Sequence, residues 1–216
     1  MAVPEPFCFS LTQMVQYNTE YFCGAGEAVH YTHSTVSFHS FARNDLVRQM
    51  IGDWLLMLDT DHQFEPDLAM RMLSLMDKHN IDVLTGVYVF KGDPHPPVLY
   101  TYDEKTKGLQ NIGNWEGEGD IMEVGSAGGG CLMIRRSVFD RIKKELKEEP
   151  FEISGKYGED HSFFLRLKKL KIKAYFAPNI ESYHLVLKPL TLKDYDKSQV
   201  KLSKLKKTDS FKSKVV

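Results

Sequence analysis

Between residues 54 and 62 the chain reads Trp-Leu-Leu-Met-Leu-Asp-Thr-Asp-His. Five apolar residues end abruptly in two carboxylates, Asp59 and Asp61, separated by Thr60. An apolar run of this length predicts a strand buried on both faces. Such a strand cannot keep charge inside it, so the acidic pair must emerge at its carboxyl end. In open α/β sheets ligands bind at that end. Two carboxylates there are costly unless a cation sits between them, and a divalent metal is the usual one. Alternate residues of an extended segment face the same way, so both carboxylates can face one ion. Oxygen ligands of this kind suit Mg2+ or Mn2+. An isolated Asp-x-Asp also fits a polar turn after a strand, so the flanking pattern matters.

Upstream, Leu46, Val47, Met50 and Ile51 fall at helical spacing, predicting a helix over 42–52. Downstream, Pro66 suits a first helical turn. It opens a predicted helix to about residue 79, with Leu68, Met72, Leu75 and Met76 inward. A strand over 82–90 follows. Helices and strands that alternate in this way predict an α/β domain with a parallel sheet. Residues 1–9 read as a short first strand interrupted by two prolines, 10–22 as a helix and 29–31 as a second strand. Residues 91–123 carry Gly, Pro and short alternating runs, and read as hairpins or loops over the carboxyl edge of the sheet. A buried strand is predicted over 131–134, then a helix to about 148 capped by Ser137. A further helix begins at Gly158-Glu159-Asp160, and a late strand is predicted over 173–176.

Composition narrows the class. The chain has 216 residues, 42% hydrophobic and 26% charged, with a net charge of −1. These values fit one soluble globular domain and name no partner by charge. No apolar run approaches the ~20 residues of a membrane span. The amino terminus lacks the basic start and apolar core of a signal peptide. Cys8, Cys23 and Cys131 are odd in number, far apart and without a CxxC pair. They read as free thiols in a reducing, cytoplasmic setting. From residue 188 onward there are nine Lys and three Asp. This divides the chain into a domain over 1–187 and a Lys-rich tail or surface helix over 188–216.

Three further features bear on chemistry. Glu159 and Asp160 stand at a helix amino terminus, where the macrodipole favours acidic residues. Helix capping explains them alone; beside a metal site, one becomes a candidate for proton abstraction. His184 follows a strand-like segment, and an imidazole is a reasonable third ligand beside two carboxylates. Gly128-Gly129-Gly130 has no side chains, so its uses are close backbone approach, amides presented to an anion, or a flexible entry to the next strand. It lacks the spacing of a dinucleotide fingerprint or a P-loop. Arg43-Asn44 lies near a helix start aimed at the same sheet edge, and Arg is well suited to phosphate.

In order, these pieces resemble the metal-dependent glycosyltransferases of the GT-A fold, particularly family-2-like members. The pattern is Ala42-Arg43-Asn44, the apolar strand with Asp59-Thr60-Asp61, and Thr85-Gly86-Val87-Tyr88. It continues through Gly128-Gly129-Gly130 with Cys131 to Arg136, Gly158-Glu159-Asp160, Ala174-Tyr175-Phe176-Ala177-Pro178 and His184. The resemblance implies a Rossmann-like mixed sheet, mostly parallel and flanked by helices. It also implies a nucleotide-sugar donor, a UDP-sugar, and a Mn2+ or Mg2+ ion held by Asp59, Asp61 and His184. Asp160 resembles the catalytic base of inverting members, with Glu159 as the fallback. Arg43, Asn44, Thr60 and Pro4 would lie near the donor, and Gly128, Gly129 and Gly130 near the sugar and acceptor. The acceptor hydroxyl belongs to a glycan, a protein or a nucleic acid. The chain departs from the family pattern at its start, where a longer apolar strand is usual. Two rival readings are a nucleotidyltransferase and a non-catalytic sugar- or nucleic-acid-binding module. Residues 3–15 lack the Gly-rich basic signature of the first; the Lys-rich tail keeps the second open.

Overall fold

The computed structural model describes residues 3–186, except 104, 106–107 and 116–118. The predicted Lys-rich tail lies outside the described residues. The chain opens with helix α1, Glu5–Gly24, not with a strand. Pro4 is its N-cap and Pro6 lies in its first turn, where a missing N–H costs nothing. The helical period runs through Phe7, Ser10, Met14, Asn18 and Phe22, all buried. The predicted second strand at 29–31 is also absent. That segment has no strand partner and is tied to helices instead. Asn18 Nδ2 donates to Tyr31 Oη at 2.9 Å, and Thr32 Oγ1 donates to Gln49 Oε1.

Helix α2, His39–Gln49, leads into strand β1, Trp54–Leu58, and the three-residue strand β2, His62–Phe64. Helix α3, Leu68–His79, ends on Asn80 in the left-handed conformation. Strand β3, Val83–Val87, is wholly buried. A side sheet in the middle region joins β4, Leu99–Asp103, to β5, Gly108–Asn111. After β6, Met122–Val124, strand β7, Ser126–Ala127, completes that side sheet. Strand β8, Cys131–Arg135, follows the glycine run. The helix predicted to reach 148 is α4, Arg136–Arg141, continued by a π-helical turn over Ile142–Leu146. Helix α5, Glu159–Lys169, starts where the acidic pair predicts. Strand β9, Ala174–His184, absorbs both the predicted late strand and the segment after it.

The main sheet runs β1-β8-β3-β9-β2, with β6 also on β9. It is mixed and flanked by helices, as expected, but it is not mostly parallel. Among the described residues only β3 and β9 pair in parallel; β8 runs antiparallel between β1 and β3, and β2 and β6 run antiparallel to β9. The cause is a late strand, β8, returning between two strands formed much earlier in the chain. It also leaves β1 at the end of the sheet. Side chains alternate across the sheet and feed two cores. Leu55, Met57, Val83, Leu132 and Ile134 pack with α2, α4 and α5. Met133, Leu84, Phe64 and Ile180 pack with α1 and α3. Phe7 meets Phe64 edge-to-face at 5.9 Å, anchoring α1 on β2.

Candidate active site

The main-chain N–H of Asp59 donates to the Gly130 carbonyl at 3.0 Å, the last rung of the β1–β8 ladder. The chain then turns: the His62 N–H reaches the Asp59 carbonyl at 3.2 Å. The Asp-Thr-Asp step is therefore a turn and not an extended segment. Strand alternation therefore does not govern where the two carboxylates point, yet Asp59 Oδ2 lies beside the same Gly130 position as His62 Nε2. The turn exists because β2 must leave β1 and pair with β9 at the far side of the sheet.

Asp61 faces His184 Nε2 at 3.6 Å and His62 Nε2 at 4.0 Å. Donor atoms of Asp61, His62 and His184 all lie within 4.8 Å of one another. The two histidines are direct cross-strand partners in the β2–β9 register. Neighbours orient both rings. His184 Nδ1 lies 2.8 Å from the Val89 carbonyl. A carbonyl can only accept, so Nδ1 is the donor there and Nε2 is the atom turned to the site. His62 Nδ1 lies 2.9 Å from Ser182 Oγ, while its buried Nε2 has no hydrogen-bond partner among the described residues. Burial pulls the His62 imidazole down to about 4, so it is neutral near pH 7. Burial pushes the Asp61 carboxyl up, but Lys91, His184 and His62 outweigh it and hold it below its ordinary value. One carboxylate and two imidazoles, one of them with a buried Nε2 that has no hydrogen-bond partner among the described residues, fit a divalent cation.

Arg43 occupies the other side. It is 5% exposed, and its guanidinium donates to the Gly129 carbonyl at 2.8 Å, to Asp59 at 3.2 Å and to Glu159 at 3.4 Å. Burial disfavours its charge, but Asp59 and Glu159 more than restore it. Arg43 is thus a buried tie between the Asp59 turn and the start of α5. Asp160, next to Glu159, accepts from the His161 N–H at 2.7 Å through Oδ1, which fixes its direction. His161 Nδ1 in turn meets Ser126 Oγ at 2.6 Å, and its ring meets Tyr100 at 5.0 Å. The start of α5 is thereby docked on the side sheet.

The glycine run is packed, not flexible. A Cβ on Gly128 would lie 2.0 Å from Tyr88 Oη, one on Gly129 2.5 Å from Arg43 Cζ, and one on Gly130 2.7 Å from His62 Nε2. Each glycine makes room for a different site residue. Tyr88 Oη accepts from the Gly130 N–H at 3.1 Å, and its ring packs on His62 at 4.6 Å. Burial pushes its phenol well above the ordinary value, so it stays neutral.

Other predicted residues lie elsewhere. Asn44 Oδ1 accepts from the Phe151 N–H at 3.0 Å, inside the core, so its amide is engaged in packing α2. Pro4 opens α1, and Thr60 is exposed on the turn. Sequence reasoning did not single out His62 as a candidate ligand or Lys91 as a neighbour of Asp61. A histidine placed directly after an acidic turn was the available signal for the first.

The family model for glycosyl transferase family 2 matches residues 14–143, which include Arg43, both aspartates, His62 and the glycine run. The chain belongs to glycosyl transferase family 2. Asp160 and His184 lie beyond the matched segment and are brought to this site by the fold. Among solved structures, A197 from STIV is similar at 20% identity and a TM-score of 0.51, over 81% of this chain and 79% of that one. GalNAc-T7, solved with UDP, GalNAc and Mn2+, is similar at 14% identity and a TM-score of 0.53. That match spans 81% of this chain and 36% of the other. Both likenesses are of fold. No curated protein sequence matches the chain significantly. Among the described residues, no helix of this family 2 domain is long and apolar enough to cross a membrane.

Proposed function

We propose that this family 2 chain transfers a hexose from a UDP-sugar to an acceptor hydroxyl, with inversion at the anomeric carbon. The observation that carries the reading is the convergence of Asp61, His62 and His184 in one structure with the acidic start of α5, tied through Arg43. A divalent ion held by those three residues would supply Lewis-acid stabilisation of the leaving diphosphate. Mn2+ is the first choice, because the donor set mixes nitrogen and oxygen. The Mn2+ and UDP bound to GalNAc-T7 support both as first probes.

The chain's own groups do the rest. Asp160 accepts the proton of the attacking hydroxyl as that oxygen bonds to the anomeric carbon. The bond from that carbon to the diphosphate breaks on the opposite face. Glu159 is held by Arg43, so Asp160 is the freer of the two carboxylates. Arg43 keeps Asp59 at the end of β1, and the packed glycines hold the backbone against His62 and Tyr88. The acceptor is a glycan, a protein or a nucleic acid with an available hydroxyl.

The test is incubation with Mn2+ and a panel of nucleotide-sugars, measuring nucleoside diphosphate release. One donor should be turned over. Asp160→Asn should slow transfer by roughly 10²–10⁴-fold while UDP binding stays intact. Substantial turnover in that variant would reassign the base. Pyrophosphate release from a nucleoside triphosphate, with every sugar donor inert, would favour a nucleotidyltransferase.

A further inference from the structure

Lys91 is the group in the site that the proposed reaction does not use. It stands on a strap between β3 and β4. The strap is a small hairpin: Val98 N–H donates to the Tyr88 carbonyl at 2.9 Å, and Phe90 N–H to the Pro96 carbonyl at 2.8 Å. Its root is fastened to the site, because the Val89 carbonyl takes the His184 Nδ1 proton. Beyond that root Phe90 and Lys91 are exposed. From this strap the Lys91 ammonium reaches back to Asp61 Oδ2 at 2.5 Å. His184 Nε2 approaches the same oxygen, at 3.6 Å. Lys91 thus neutralises the one carboxylate of the Asp61-His62-His184 cluster.

A divalent ion held by those ligands would draw on the same carboxylate, through Oδ1 beside His62 or Oδ2 beside His184. Two cations cannot share it at contact distance without strong repulsion, and the pair is only partly shielded: both side chains are about 40% exposed. Metal on this carboxylate would therefore weaken the hold of Asp61 on Lys91. It has a long flexible stem and sits at the mouth of the site. A donor diphosphate bridged to the metal would bring anionic oxygens to that mouth, and an ammonium binds phosphate well.

Resting on the metal-diphosphate reading above, we propose that Lys91 is an exchangeable counter-ion. It occupies Asp61 in the metal-free site and transfers to the donor diphosphate when metal binds. The exchange makes metal weak alone and strong with nucleotide, so the two load together. Lys91 is a positioning residue in this scheme, and the signature is a pair of shifts of opposite sign.

The experiment titrates Mn2+ alone, then UDP at saturating Mn2+, into the wild type, Lys91→Met, Lys91→Arg and Asp61→Asn. Calorimetry or the Mn2+ spin-resonance signal reads binding directly, without turnover. Lys91→Met should bind Mn2+ roughly tenfold tighter and UDP several-fold weaker, so the coupling between them collapses. Lys91→Arg should track the wild type, and matching melting curves would exclude misfolding. If Lys91→Met binds Mn2+ no tighter than the wild type while Asp61→Asn loses it, the exchange is overturned and the metal site stands. If both affinities of Lys91→Met move in the same direction, the exchange is overturned too. If neither wild type nor Lys91→Met binds Mn2+, the metal-diphosphate reading and the exchange fall together.

Discussion

Gly130→Ala tests the site through a single carbon atom. The added Cβ would stand 2.7 Å from His62 Nε2, 2.8 Å from His62 Cε1 and 3.2 Å from Asp59 Oδ2. Ordinary contact begins at 3.4 Å, so the ring would have to retreat by about 0.7 Å. Little allows it. The imidazole is held by Ser182 at 2.9 Å, by the Tyr88 ring at 4.6 Å and by the His184 ring at 4.7 Å. Overpacking of this kind costs roughly 1–3 kcal/mol. For a domain of this size that lowers Tm by about 2–10 °C. The larger effect should be on metal. A displaced His62 Nε2 leaves the cluster with two good donors, so Mn2+ affinity should fall by an order of magnitude or more, as for other displaced ligand geometries. Gly113→Ala is the control, because no atom of the described residues lies within 4 Å of its Cβ position. Scanning fluorimetry and Mn2+ calorimetry read the two quantities separately. A Gly130→Ala protein with the wild-type Tm and Mn2+ isotherm would refute the close approach, and with it His62 as a ligand.

Two other outcomes follow from the same geometry. Arg43→Met leaves Asp59 and Glu159 without their buried cation, which should destabilise the fold by about 3 kcal/mol in urea titrations, discounted for the partial exposure of Asp59. Arg43→Lys should recover only part, since a point charge cannot hold three acceptors in a plane. His62 makes stability depend on pH in the metal-free protein. Its folded value is about 4, against about 6.5 when unfolded, so the unfolded chain binds the proton first. Stability should therefore fall as pH drops from 6.5 towards 4, by about 3 kcal/mol in all. His62→Gln should flatten that part of the profile in chelator-treated samples, and identical slopes would contradict it.

Much of the fold was legible because it rests on local patterns. The apolar runs at 54–58 and 131–135 and the periodicity of α3 and α5 depend on short stretches of chain. What was not legible depends on distant partners. β2 is three residues long and is a strand only because β9 lies beside it. The direction of β8 is set by where it inserts, which no window of sequence records. Residues 29–31 have strand composition but no neighbour to pair with. The start of α1 failed for a different reason: two prolines read as breakers where they serve as a first turn. The site divides in the same way. Asp61, His184 and the acidic start of α5 carried signals of their own. His62 gained its role from the turn that separates Asp59 from Asp61, and Lys91 from a strap whose path the sequence does not reveal.

The pairing of His62 with His184 across β2 and β9 makes the proposed metal centre a matter of register. Side chains alternate along a strand, so a slip of one residue in that short ladder would swing one imidazole to the opposite face. The sheet would keep its hydrogen bonds and much of its core, yet the centre would be gone. A single-residue insertion or deletion near Thr60 is thus more dangerous to function than many substitutions in the core. Conversely, a chain that kept this register could exchange either cross-strand residue for another ligand and change its metal without altering its fold.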